Sequence, residues 1–246
     1  MVPTLTCVAA YVHQVPAPVR AEVIGRSVRG RPITAWQVGD PAAPIRVLVV
    51  GSVHGTEPGG IAVARALRAA QPPVGVQLWV LDDLDPDGHA AGTRGNARGV
   101  DLNRNFPFRW SPRAVEWNPG RRRLSEPESR AAWALIQRVR PQVSVWFHQA
   151  AHQVDLSGGD PAVQWRYGHR VGLPVSRMRR YPGSATGTQD HVFPGTTAFV
   201  VELGHGRPGV SLVRRHVSAV LAAGADLVPP PDAPQPPAPG APDTVG

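Results

Sequence analysis

Apolar positions along this chain fall into short blocks separated by turn-rich stretches. Ile45-Arg46-Val47-Leu48-Val49-Val50 is a nearly unbroken β-branched run, the pattern of a strand covered on both faces. Val76 to Leu81, Val143 to Phe147 and Thr197 to Val201 repeat that pattern. Helical stretches alternate with them. Gly59 to Ala70, rich in Ala, Leu and Arg, is ended by Gln71-Pro72-Pro73. Ser125 as cap, Pro127 in the first turn and Glu128 closing a capping box predict a helix running to about Val139, where Pro141 stops it. Pro161 to Val171 and Gly209 to Ala223 read as two more. Ahead of all these, Ala21 to Ser27 and Pro32 to Val38 flank Val28-Arg29-Gly30-Arg31 and predict a hairpin. The alternation predicts a single α/β domain with a mixed, mostly parallel central sheet flanked by helices, antiparallel where the hairpin joins. The division expected is a lead-in over 1–19, the domain over 20–226 and a disordered, proline-rich tail over 227–246. Residues 92–117 are dense in Gly, Asn, Arg and Pro, and a loop of that length inside a compact domain is usually functional.

Composition changes the picture modestly. The chain has 246 residues, of which 42% are hydrophobic, enough for a sizeable core. No run of roughly 20 apolar residues is present, so no membrane span is expected. All 26 basic residues are arginine and the net charge is +8. The arginines are scattered, and the densest cluster, Arg121-Arg122-Arg123, has no interleaved aromatics. A solvated surface is therefore expected, and no nucleic-acid partner. The single cysteine, Cys7, leaves no internal disulfide and no cysteine-based metal site. Met1 to Thr6 carry no basic residue, and no small-x-small cleavage site follows, so a cytoplasmic protein is expected, with export still open.

Chemistry gathers where the apolar runs end. The first run leads into Gly51-Ser52-Val53-His54-Gly55-Thr56-Glu57-Pro58, the third into His148 and the last into Glu202. An H-x-x-E pair alone occurs often by chance. Its weight here comes from three strand ends delivering imidazole or carboxylate to the sheet edge where open α/β folds build their sites. Two histidines and one glutamate with an open position for water form a catalytic zinc set, and a further carboxylate can take the proton of that water.

A larger pattern surrounds these residues. Arg98-Gly99-Val100-Asp101-Leu102-Asn103-Arg104-Asn105-Phe106-Pro107 follows Asp85-Pro86-Asp87-Gly88 and Thr93-Arg94-Gly95-Asn96. With His54-Gly55-Thr56-Glu57, Phe147-His148 and Val201-Glu202-Leu203, it closely resembles the zinc carboxypeptidase family over roughly residues 45 to 220. Gly92-Thr93-Arg94, Asn96-Ala97-Arg98 and Tyr181-Pro182-Gly183-Ser184 make it most similar to the bacterial murein peptide amidase A branch, whose members cut the γ-D-glutamyl–diaminopimelate bond of cell-wall peptides. The resemblance implies one Zn2+ ion held by His54, Glu57 and His148, with Glu202 as general base and then general acid. It implies that Arg94 polarises the scissile carbonyl, and that Asn103, Arg104 and Tyr181 bind a small peptide carrying a free carboxylate. It implies no oligomeric state.

Alternatives stand beside these readings. Arg98 competes with Arg94 for the oxyanion. Asn103 or Arg104 could brace the loop, and Tyr181 could be surface packing. His152 is a possible neighbour of the site but reads as an exposed loop residue, while His191, His205 and His216 read as structural or surface. Asp87 reads as part of a turn. Asp190 falls where some relatives keep a specificity residue, but Thr188-Gln189-Asp190-His191 replaces a tryptophan some of them carry. The whole chain also fits an N-acyl amino acid deacylase of the aspartoacylase and succinylglutamate desuccinylase type, whose members share His-Gly-x-Glu and Asp-Leu-Asn-Arg. A non-catalytic metal- or peptide-binding module is the third reading, against which the presence of Glu202 speaks.

Overall fold

Strand β3 (Ile45–Val50) is buried at every position but the half-buried Arg46 because its apolar side chains alternate between two cores. Val47 and Val49 face one, Leu48 and Val50 the other. The computed structural model describes residues 19–113 and 116–229, so the expectations for Cys7, for all but the last residue of the lead-in and for the tail beyond 229 lie outside the described residues.

Eight strands form one sheet in the order β1-β2-β4-β3-β5-β8-β6-β7. The hairpin is β1 (Val19–Arg26) and β2 (Pro32–Val38), paired antiparallel. β2 pairs antiparallel with β4 (Val76–Leu81). From β4 the sheet runs parallel through β3, β5 (Val143–Gln149) and β8 (Thr197–Leu203). Beyond β8 lie two strands too short to show a pattern, β6 (Gln153–Asp155) and β7 (Val175–Ser176). The carboxyl ends of the four parallel strands therefore share one edge, as the alternation of runs predicts.

Helices cover both faces. α1 (Gly59–Arg68), α4 (Pro161–Val171) and α6 (Val210–Ala225) pack on the side of Val47 and Phe147 through Leu67, Tyr167 and Val220. α3 (Pro127–Val139) packs Ala132, Leu135 and Ile136 against Leu48 and Trp146 on the other side, where Leu102 and Phe106 of the long loop and Ala185 join them.

Three local expectations are corrected. The cap of α3 is Glu126 rather than Ser125, and no side chain bonds the helix end. Ser125 Oγ donates instead to Glu126 Oε1 at 2.7 Å and accepts from Asn105 Nδ2 at 3.0 Å. Glu128 closes no box because its carboxylate ties the hairpin and the loop to the helix, accepting from Val28 N at 2.9 Å and Asn96 Nδ2 at 3.0 Å. Asp85-Pro86-Asp87-Gly88 opens a short helix, α2 (Pro86–Ala91), capped by Asp85, rather than forming only a turn; Asp87 ion-pairs with Arg31 of the hairpin turn. A further helix, α5 (Ala185–Val192), occupies a stretch of Thr, Gly and Gln that carries no helical pattern.

Candidate active site

Each strand end contributes by its register. The loop after β3 turns sharply because Gly55 packs directly on the backbone of Gly88, where a Cβ has no room. This carries His54 and Glu57 back over the sheet edge. On the neighbouring parallel strands His148 of β5 and Glu202 of β8 are paired residues and so project side by side.

His54, Glu57 and His148 are all buried, and one ligand atom from each lies within 4.8 Å of the others. Both imidazole Nδ1 atoms approach Glu57 Oε2, at 2.9 Å from His54 and 3.0 Å from His148. The His54 contact is within ion-pair distance yet lacks hydrogen-bond angles, leaving Nδ1 buried without a hydrogen-bond partner. A buried nitrogen left in that state is costly unless something else binds it. The opposite nitrogen, Nε2, meets Asp101 Oδ1 at 2.9 Å. A proton on Nε2 leaves the Nδ1 lone pair aimed at Glu57 and His148, the orientation a metal-binding histidine needs. The donor set and its geometry fit a zinc ion.

Charge is balanced tightly around this triad. Burial alone would lower the His54 pKa, but the negative charges of Asp101 and Glu57 outweigh it and raise it. Burial would raise Glu57, yet the hydrogen bond and charge of His148 and the close approach of His54 hold it far below the usual carboxylate range. Asp101 is likewise held low against its burial, by His54 first and then by Arg94 and Arg104. Arg94 clasps both carboxylates, Nη1 donating to Glu57 Oε1 at 2.6 Å and Nε to Asp101 Oδ2 at 3.0 Å.

A cavity of about 220 Å³ opens onto the triad and is also lined by Arg94, Asn103, Arg104, Tyr181 and Glu202. All eight residues singled out from the sequence thus meet in one place. Arg104 is buried, donates through Nη1 to Asn103 O at 2.9 Å, lies 4.0 Å from the Tyr181 ring centre, and leaves Nε without a partner. Asn103 Oδ1 accepts from Ala185 N at 2.9 Å. Glu202 Oε2 accepts from Ala151 N at 3.2 Å. Arg98 does not line the cavity and pairs with Glu126 at 3.3 Å. Among the other histidines, His152 is exposed, His191 stacks on Phe108, and His216 is buried beneath α4. The sequence reading missed Asp101 as a partner of His54, and also the Asp155, Arg179 and Arg180 wall of the cavity.

A mixed α/β sheet with a His–Glu–His triad at its carboxyl edge defines a metallohydrolase. The zinc carboxypeptidase family pattern matches residues 75–190. Murein peptide amidase A of Vibrio campbellii is 30% identical over 218 residues, covering 80% of this chain and 84% of that protein. The Escherichia coli K12 protein of that name is 36% identical over 146 residues, and the match spans 53% of this chain but only 60% of the relative. The solved murein-tripeptide amidase of Escherichia coli O157 superposes with a TM-score of 0.62 at 25% identity, covering 82% of this chain and 90% of that one. Carboxypeptidase A of Helicoverpa armigera shares the fold, with a TM-score of 0.69 at 16% identity, covering 85% and 69%. The chain belongs to the zinc carboxypeptidase family, a family of hydrolases, and its murein peptide amidase-like members are among the relatives it matches. No helix among the described residues is long and apolar enough to cross a membrane.

Proposed function

We propose that this protein hydrolyses an amide bond in a small peptide with a free carboxylate on the leaving side, the target being the γ-D-glutamyl–diaminopimelate bond of cell-wall peptides. The observation that carries this reading is a single cavity shared by a metal triad, an adjacent carboxylate and two fixed guanidinium groups. The murein peptide amidase relatives support the substrate class. His54, Glu57 and His148 would hold zinc, which when bound supplies a Lewis acid able to lower a water pKa from ~15.7 toward ~7.

The side chains do the rest. Glu202 takes a proton from the attacking water and later returns it to the leaving amine as the C–N bond breaks. The Ala151 N–H bond fixes Oε2 and leaves Oε1 for the transfer. Two of the donor nitrogens of Arg94 are held by Asp101 and Glu57, so its remaining Nη2 is a preset donor for the oxygen that gains charge. Arg104 meets the substrate carboxylate with the part of its guanidinium that lines the cavity, a strong charge-assisted contact in a buried site. Asn103 and Tyr181 complete that anchor.

Mass spectrometry of products from defined muropeptides tests the reading. Cleavage is expected with zinc-loaded protein and is lost with a chelator. E202Q should keep its metal and lose about 10²- to 10⁴-fold in kcat. His54→Ala protein that kept both metal and activity would overturn the assignment. Cleavage of N-succinylglutamate in place of muropeptide would establish the deacylase reading instead.

A further inference from the structure

Part of the cavity wall is built from Asp155, Met178, Arg179 and Arg180. Arg180 is held there from two sides. Its Nη2 donates to Asp190 Oδ2 at 3.0 Å, and Asp190 is itself fixed by Ala198 N at 2.9 Å, on the strand that carries Glu202. The guanidinium lies across Gly158 so closely that a Cβ on that glycine would collide with Nη2. Asp190 engages one nitrogen, and no other partner of the Arg180 guanidinium is seen among the described residues. Arg180 itself lines the cavity.

The acid on the same wall is fixed by its neighbours. Asp155 Oδ1 accepts from Ser157 N at 2.9 Å and Met178 N at 3.0 Å, and Oδ2 accepts from Ser157 Oγ. Asp190 is spent on Arg180, so the wall sets the Arg179 and Arg180 guanidinium groups beside one further acid, Asp155. A carboxylate placed against Arg180 meets a guanidinium already fixed by Asp190.

We infer that Arg180 is a specificity-determining residue that binds a second carboxylate, carried on the side chain of the leaving amino acid. This rests on the function proposed above. Arg104 would take the carboxylate next to the scissile bond and Arg180 the distal one, so the leaving group is a dicarboxylate. Meso-diaminopimelate has both. L-lysine has the same side-chain length to its terminal ammonium but lacks the distal carboxylate, so the pair isolates that one group.

The test compares L-Ala-γ-D-Glu-meso-diaminopimelate with L-Ala-γ-D-Glu-L-lysine as substrates of zinc-loaded wild-type, R180Q and R180K proteins. Wild type should favour the diaminopimelate peptide by about 10- to 100-fold in kcat/KM, the range a charge-assisted hydrogen bond supplies. R180Q should bring that ratio to within about threefold of unity, and R180K should retain part of it. An unchanged ratio in R180Q, or equal loss on both peptides, would overturn the inference. Calorimetric binding of free meso-diaminopimelate and free L-lysine to the same proteins needs no turnover. If wild type cleaves neither peptide yet binds diaminopimelate more tightly in an Arg180-dependent way, the proposed reaction fails and the inference on Arg180 stands. If wild type binds the two amino acids equally, the inference fails.

Discussion

His54 divides its two nitrogens between Asp101 behind it and Glu57 in front. Asp101 Oδ1 sits 2.9 Å from Nε2 and also accepts from Asn103 N at 2.9 Å, so one oxygen orients the ligand and shapes the loop bearing Asn103 and Arg104. An amide at 101 keeps the size but loses the charge. D101N is expected to remain folded and to bind zinc about 10- to 100-fold more weakly, measured by competition with a chromogenic chelator. Unaltered affinity would show that Asp101 serves the loop alone. At this scale the sequence was readable where a residue ended an apolar run, as His54, His148 and Glu202 do. Asp101 was not, because its partner lies 47 residues away and its local pattern is that of a turn cap, which it also is. Arg94, which the resemblance favoured, lines the cavity and Arg98 does not, a placement that their shared loop composition does not record.

Elements show the same split. Strands β3, β4 and β5 were legible because burial on both faces demands continuous apolar residues. β6 and β7 were not, since strands of three and two residues carry no period. The α5 segment is mostly weak helix formers; Ser184 caps it at Gly187 N, and Thr186, Thr188 and Gln189 are buried by packing rather than by pattern. Two predictions belong here. Gly183 has φ of +73°, and a Cβ there would collide with the Arg104 carbonyl. G183A should therefore displace Arg104, the proposed carboxylate anchor, and raise KM by at least tenfold for the muropeptide while zinc content stays at wild-type level; a wild-type KM would refute this. The second concerns helix α6 on helix α4. His216 accepts or donates at Nδ1 to Tyr167 OH at 2.9 Å, and burial, aided by Arg215, lowers its pKa from 6.5 to about 4. The unfolded chain takes up a proton at this residue below about pH 6.5 while the folded chain resists until about pH 4. Stability is thus full above that window and lost as pH falls through it. Between pH 7 and pH 5 the loss from this residue is roughly 2 kcal/mol. Urea unfolding at the two pH values should show H216Q losing that much less than wild type, and parallel losses would remove His216 as the cause.

For the molecule as a whole, the sheet has two cores, one on each face, and neither depends on the triad for its burial. Apoprotein should stay folded, and zinc at 100 times its Kd should add about 2.7 kcal/mol, seen as a rise in Tm that H148A lacks. Unfolding on metal removal would contradict a preformed edge. The α/β class and the antiparallel hairpin were legible from the alternation of runs; the strand order, with β4 inserted between β2 and β3, was not, because no apolar pattern records which neighbour a strand chooses. That order has a practical consequence. Strands β3 and β5 deliver the three candidate ligands, while β8, one place further along, delivers Glu202 and no ligand. Damage near β8 should yield chains that are fully metallated and silent, and damage near β3 chains that are silent and metal-free. Zinc content and turnover are then independent gauges, and together they assign a lesion to one side of the sheet by solution measurements alone.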